Sequence, residues 1–203
     1  MSTQPGEVVR ADGRSLADLI AGLTVEVPDY PEPGILFRDL TPVFADGDAF
    51  RAMVAGLAAP AAFDPRGAAL AGGPGNDGDP GFDVVVGVEA RGFLLAAAVA
   101  LATGVGVVPV RKAGKLPRER ISADYVLEYG TATLELHADS VRPGQRVLVV
   151  DDVLATGGTL GAAISLVERL GGVVVAVSVV VELAALGGRE RIAPHAVHAL
   201  WIT

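Results

Sequence analysis

The chain has 203 residues, 51% of them hydrophobic, with no cysteine and a formal net charge of −8. That length and apolar share are enough for one domain with a substantial core, and the missing cysteines exclude disulfides, thiolate metal sites and cysteine nucleophiles together. The acidic balance argues against a general nucleic-acid surface. No secretory signal is visible in the polar start at residues 1–6, and every apolar run is broken by glycine, proline or charge before membrane-spanning length, so the expectation is a soluble cytoplasmic protein that binds neither nucleic acid nor membrane.

In chain order, Leu16, Leu19, Ile20 and Leu23 recur at helical spacing, with Ser15 and Asp18 as start signals, and predict a short amphipathic helix from Ser15. Pro28, Pro31 and Pro33 then forbid helix and favour a stiff extended segment, which delivers Ile35-Leu36-Phe37-Arg38-Asp39 to a fixed place. Phe37 offers a ring face and Arg38 a cation, a pairing suited to a planar heterocycle, although a core phenylalanine beside a surface arginine explains the two residues taken alone. Asp48 is expected to cap a helix running to Leu57. The glycine- and proline-rich residues 61–82 read as a flexible surface loop, not a domain linker, because a sheet pattern begins directly after them.

Asp83-Val84-Val85-Val86-Gly87-Val88 reads as a buried strand that ends in Glu89-Ala90-Arg91-Gly92-Phe93, ahead of an alanine-rich helix over 94–102. Such a turn presents N–H groups and an arginine to an anion; helix capping plus a surface arginine accounts for it equally well in isolation. A third strand spans 105–110. Residues 111–130 are long, charged and poorly periodic, as functional loops are, and they hold the only lysines of the chain, Lys112 and Lys115. Their end runs into alternating residues 131–136, which suggests a lid on a short hairpin.

The most informative stretch is Val147-Leu148-Val149-Val150-Asp151-Asp152-Val153-Leu154-Ala155-Thr156-Gly157-Gly158-Thr159-Leu160. Four aliphatic residues suit a strand buried on both faces, and 161–170 has helical spacing, so a ligand would sit at the strand's carboxyl end. Small residues, free N–H groups at a helix start and two hydroxyls at Ala155, Thr156, Gly157, Gly158 and Thr159 suit a phosphate. The lysine and spacing of a P-loop and the three-glycine dinucleotide fingerprint are both absent, which disfavours a nucleoside triphosphate or NAD. Adjacent acids on a strand point to opposite sides, so one metal held by both is awkward, whereas hydrogen bonds to sugar hydroxyls are not. A ribose 5-phosphate satisfies the turn and the acids together; an ordinary capped turn with two solvated acids leaves the acids unexplained. Beyond it come a strand over 173–181, a helical turn through Arg189 and Arg191, and a last strand near 197–202, an alternation that marks an α/β fold. His137, His195 and His198 show no ligand spacing with acids and read as structural or surface residues.

The central stretch resembles the phosphoribosyl-diphosphate motif of the type I phosphoribosyltransferases. With Gly34 to Asp39, Glu89 to Phe93, Arg111 to Lys115 and Leu127-Glu128-Tyr129-Gly130 in the same order, the chain resembles the adenine-using members of that family from Pro31 to Arg191. The 61–82 loop is longer than the family pattern.

The resemblance implies a single domain over 1–203. Its central, mainly parallel sheet is flanked by helices, with an N-terminal hood over 1–45 and an active-site lid over 111–130. It implies transfer of ribose 5-phosphate from phosphoribosyl diphosphate to adenine with magnesium held mainly through substrate, in a homodimer. It places the ribose phosphate on Asp151, Asp152 and residues 155–159, the diphosphate near Glu89, Ala90, Arg91, Arg111, Lys112 and Lys115, and adenine against Leu36, Phe37, Arg38 and Leu183. Glu128, Lys115 and Arg91 carry the catalysis. Relatives that use 6-oxopurines offer the ring oxygen a lysine from a late strand, and residues 173–202 contain none. A transferase for another purine such as xanthine, and a phosphoribosyl-diphosphate-sensing regulator, are the competing expectations; the acidic charge and the lack of a DNA-binding extension weigh against the second.

Overall fold

This computed structural model describes residues 15–59, 79–127 and 130–203. Helix α1 (Leu16–Leu23) leads into an antiparallel ribbon of β1 (Val25–Pro28) and β2 (Leu36–Asp39), followed by α2 (Thr41–Ala45) and α3 (Gly47–Leu57). Then come β3 (Val84–Val88), α4 (Arg91–Thr103), β4 (Gly106–Lys112) and a hairpin of β5 (Arg120–Leu127) with β6 (Gly130–His137). The chain continues through β7 (Arg146–Leu154), α5 (Gly158–Arg169), β8 (Val173–Glu182), α6 (Gly188–Arg191) and β9 (Val197–Ile202). The last seven strands form one sheet in the order β5-β6-β4-β3-β7-β8-β9, parallel from β4 to β9 and antiparallel where the hairpin joins.

The sheet has a core on each face, which is why its central strands are unbroken aliphatic runs. Along β7, Val147 and Val149 pack with Leu160, Ile164 and Leu166 of α5, while Leu148 and Val150 pack with Leu95 and Val99 of α4 and with Met53 and Leu57 of α3. Parallel register pairs Val84 with Val147 and Val86 with Val149, so β3 and β7 end at the same edge of the sheet. In such sheets that carboxyl edge is where ligands bind. Among the described residues no helix is long and apolar enough to cross a membrane.

Ser15 caps α1 as expected, its hydroxyl accepting from the Asp18 N–H at 3.0 Å. The cap of α3 is Asp46, not Asp48: its carboxylate accepts from the N–H groups of Asp48 and Ala49, and Asp48 sits in the first turn, paired with Arg51 at 2.8 Å. The proline-rich stretch does not run on extended. It turns back between β1 and β2, closed by Tyr30 N–H to Ile35 O at 3.2 Å and by Gly34 N–H to the Asp29 carboxylate at 2.7 Å.

Most of the irregular stretch expected over 111–130 is strand, because Ile121, Ala123 and Tyr125 alternate into the core while Ser122 and Asp124 face outward. Neighbouring charges at 118–120 hide that alternation in the sequence. Helix α4 begins at Arg91, ahead of the expected residue 94, and β7 continues through the acid pair to Leu154. Of the 61–82 stretch, residues 61–78 lie outside the described residues. Its end is anchored: Phe82 is fully buried, and Asp79 pairs with Arg146 at 3.0 Å.

Candidate active site

Strand β7 delivers Asp151 and Asp152, and the chain then leaves the sheet through Ala155, Thr156 and Gly157 to enter α5. Gly157 is the N-cap residue, at φ 79°, a left-handed conformation that glycine adopts without steric cost. The cap makes no side-chain hydrogen bond, so neither Thr156 nor Thr159 closes the helix start. The hydroxyls and the first N–H groups of α5 thus remain available to an anion, on the positive end of the helix. A shallow cavity lies there, lined by Asp151, Val153 and residues 154–160.

The acid pair is buried, with Asp151 8% and Asp152 7% exposed, which rules out two solvated acids. Asp152 accepts from Arg91 Nε at 2.5 Å. Asp151 accepts from the Asp152 N–H at 2.9 Å, and burial followed by the neighbouring Asp152 charge pushes its carboxyl well above the usual carboxylate range. Both acids lie against the start of α4. A Cβ on Gly92 would stand 2.8 Å from Asp151 Oδ1, so the missing side chain is what lets this helix approach the strand. Two acids so close, one of them paired with Arg91, suit hydrogen bonding to vicinal hydroxyls.

The cations divide into two groups. Glu89, at the end of β3, gathers Lys115 through an ion pair, Arg111 Nε at 3.5 Å and the Lys112 N–H at 3.0 Å. Burial opposes the charge on Glu89, but these partners win and hold its carboxyl below the usual range. A carboxylate has no proton to donate to an anion, so Glu89 serves as the hub that places its neighbours, beside exposed Ala90. Arg91 stands apart: while bonded to Asp152, its guanidinium carbon lies 5.4 Å from the centre of the Phe37 ring. It therefore links the ribbon of β1 and β2 to the acid pair.

Phe37 meets Tyr30 edge-on at 5.2 Å. Arg38 lies over Trp201 at 5.6 Å and donates to the Thr203 hydroxyl at 3.0 Å, which fastens the ribbon to the end of β9. Leu36 is exposed in the same ribbon, and Leu183 follows β8 with its N–H on Leu154 O at 2.9 Å. Leu183 is therefore bonded to the residue that precedes the phosphate turn. Glu128 lies outside the described residues.

Several contributors escape sequence reasoning. Buried Glu135 accepts from the Gly114 N–H at 3.0 Å and forms an ion pair with Arg120 at 2.9 Å, so it holds both ends of the segment that carries Lys115. Tyr30 and Trp201 buttress Phe37 and Arg38; the sole tryptophan of the chain was the one available signal. The Glu182–Arg189 pair and Gly188 gave none. Among the described residues no cluster of three or more histidines and carboxylates could hold a metal unaided.

Comparison with known proteins agrees with this geometry. Residues 70–198 match the family described as "Phosphoribosyl transferase domain". The chain is 54% identical over 198 residues to an adenine phosphoribosyltransferase of Salinispora arenicola, an alignment covering 98% of this chain and 97% of that protein. The crystal structure of adenine phosphoribosyltransferase from Thermoanaerobacter pseudethanolicus superposes with TM-score 0.80 at 43% identity, over 92% of this chain and 99% of that one. The Saccharomyces cerevisiae enzyme, solved with an imino-altritol bisphosphate and adenine, gives TM-score 0.78 at 36% identity, over 91% and 98%. A phosphate-ready turn beside buried acids, on a sheet of this topology and with relatives this close, has one explanation: the chain belongs to the type I phosphoribosyltransferase family, among its adenine phosphoribosyltransferases.

Proposed function

We propose that the chain transfers the 5-phosphoribosyl group of phosphoribosyl diphosphate to adenine, forming AMP and diphosphate, at the carboxyl edge of its sheet. The observation that carries this reading is the turn at 155–159: a helix start with no side-chain cap and two available hydroxyls, next to a buried acid pair. The turn takes the 5-phosphate, and Asp151 and Asp152 take the ribose hydroxyls. Arg111, Lys112 and Lys115, already assembled around Glu89 and Ala90, face the diphosphate. Arg91 joins them by exchanging Asp152 for a phosphate oxygen.

As the glycosidic bond breaks, charge builds on the leaving diphosphate while the anomeric carbon becomes oxocarbenium-like. Fixed cations around the diphosphate lower that barrier because they are in place before the charge develops. Water would capture the carbon, so the segment over 111–130 acts as a lid. Glu128 handles the proton on the imidazole edge of adenine as the base becomes glycosylated. Adenine lies against Phe37 and Leu183, with the Leu36 main chain and Arg38 at its polar edge. The saturated sugar and the aromatic base thus meet surfaces of different character.

Magnesium belongs to this reading as a companion of the substrate. Such a cation keeps its waters and would be held by substrate oxygens. When bound it neutralises diphosphate charge. The homodimer is supported by exposed apolar residues: Leu94 and Leu101, seven positions apart on one face of α4, are 58% and 86% exposed, and Val107 on β4 is 46% exposed. A cytoplasmic setting, in keeping with a cysteine-free chain, completes the reading.

The experiment is turnover of radiolabelled adenine with phosphoribosyl diphosphate and magnesium, run beside xanthine, hypoxanthine and guanine. AMP formation with adenine as the preferred base is expected. No AMP, or equal use of a 6-oxopurine, refutes the proposal. Sedimentation at micromolar concentration tests the dimer, and a monomer there removes it.

A further inference from the structure

Behind the phosphate turn lies a second layer that the reaction as described does not use. Strand β8 ends at Glu182, which stands opposite Leu154 in the ladder with β7. Its side chain is 6% exposed, and it accepts two bonds from Arg189, from Nε at 2.9 Å and from Nη2. The third arm of the guanidinium, Nη1, donates to Val197 O of β9 at 2.8 Å. Arg189 is thereby fixed to two strands at once. A buried carboxylate held this way by a planar fork sets position more firmly than a single-point contact does.

The residue before Arg189 is Gly188, and it touches the turn directly. A Cβ on Gly188 would overlap the Ala155 carbonyl oxygen, stand 2.7 Å from Leu154 Cδ1 and lie 3.0 Å from the Gly157 nitrogen. Reciprocally, a Cβ on Gly157 would stand 2.7 Å from Gly188 O. The two glycines pack back to back, main chain on main chain. The floor of the turn is therefore the start of α6, which the Arg189–Glu182 pair ties to β8 while buried Ile192 holds its other end.

We propose that Arg189 is a positioning residue for ribose-phosphate recognition: through Glu182 it seats Gly188 beneath residues 155–157 and so sets where their N–H groups point. The assignment rests on the reading of that turn as the phosphate cradle. Hydrogen bonds from a backbone cradle lose their aim within about half an ångström, so a small shift of the floor is felt by the ligand. The diphosphate group meets a different set of residues, around Glu89, which neither Gly188 nor Arg189 supports.

The test is calorimetric binding of ribose 5-phosphate and, separately, of diphosphate with magnesium to the wild type and to Gly188→Ala, Arg189→Lys and Gly158→Val, alongside steady-state kinetics. Gly188→Ala and Arg189→Lys should each weaken ribose 5-phosphate about tenfold or more while diphosphate stays within about twofold. KM for phosphoribosyl diphosphate should rise more than kcat falls. Should Gly188→Ala fail to fold, Arg189→Lys, which keeps its charge and lacks only the fork, decides the question alone. Equal loss of both ligands, or a lower Tm with unchanged affinities, marks a purely structural pair and overturns the proposal. If Gly158→Val abolishes ribose 5-phosphate binding while these two variants retain it, the cradle stands and the positioning role alone falls. If Gly158→Val binds normally, the cradle falls and takes this proposal with it.

Discussion

Gly92→Ala tests the packing on which the acid pair depends, because two opposite effects meet at one atom. On an open helix face alanine gains up to about 1 kcal/mol over glycine through backbone entropy. Here the added Cβ would stand 2.8 Å from Asp151 Oδ1 and 3.0 Å from Val150 O. The first atom belongs to a carboxylate fixed by the Asp152 N–H, and the second is main chain of the central strand, so neither yields freely. Overpacking of this kind costs about 1 to 3 kcal/mol, so even against the full propensity gain the overlap leaves a net loss of up to about 2 kcal/mol. For a chain of this length that corresponds to a fall in Tm of up to about 8 °C. Because the added atom presses on Asp151, which takes a ribose hydroxyl in the proposed reading, the same displacement should also weaken phosphoribosyl diphosphate measurably. Differential scanning calorimetry and a binding titration measure the two effects. A variant with raised Tm and unchanged affinity would refute this account, because α4 would then not press on the acid pair.

Three further outcomes are expected. Glu128→Leu should lower turnover by about 100- to 10,000-fold with little change in phosphoribosyl diphosphate affinity, whereas Lys115→Ala should weaken that affinity as well as turnover; near-normal turnover in the Glu128 variant moves the proton chemistry to water or substrate. Asp152→Asn should keep the fold and cost about 1 to 3 kcal/mol of substrate binding, the worth of a charge-assisted hydrogen bond, and equal affinities in a titration would remove the ribose assignment. Burial, aided by the Arg189 charge and opposed by a backbone hydrogen bond at Gly56, lowers the His198 pKa from 6.5 to about 4. The folded chain then binds fewer protons than the unfolded one, so this stability is full above pH 6.5 and is lost as pH falls toward 4, a change of about 3 kcal/mol. Denaturant melts across that range should show the slope in the wild type and lose it in His198→Gln; identical slopes refute the assignment.

What the sequence made legible is what local chemistry dictates. A strand buried on both faces has to be aliphatic throughout, so β3, β7 and β8 announce themselves, and a turn that receives phosphate has to be small, so residues 155–159 do too. The cap at Asp46 was missed by two positions because Asp48 satisfies the same rule. The hairpin strand β5 is hidden in the sequence because solvent-facing charge overlies the alternation of Ile121, Ala123 and Tyr125. The bond from Arg91 to Asp152 spans 61 positions and that from Arg38 to Thr203 spans 165, distances at which no local pattern operates. Gly188 is a similar case: its need to be glycine arises from Ala155 and Gly157, which only the folded chain brings against it.

The hairpin of β5 and β6 is a long local ladder, and it joins the parallel sheet through a short seam: the register pairs Arg111 with Glu135 and Lys112 with Leu134, and the Ala113 N–H on Thr133 O at 3.1 Å. On its outer side Arg169 donates to the Ser122 carbonyl at 2.6 Å, which occupies part of an otherwise open strand edge. With so short a seam to the parallel strands, the hairpin takes much of its anchorage from α5, against which Tyr125, Leu134 and Leu136 are buried. Substitutions at its outward residues, Ser122 and Asp124 among them, leave the α5-side core alone, whereas truncating Leu134 or Leu136 loosens hairpin and core together.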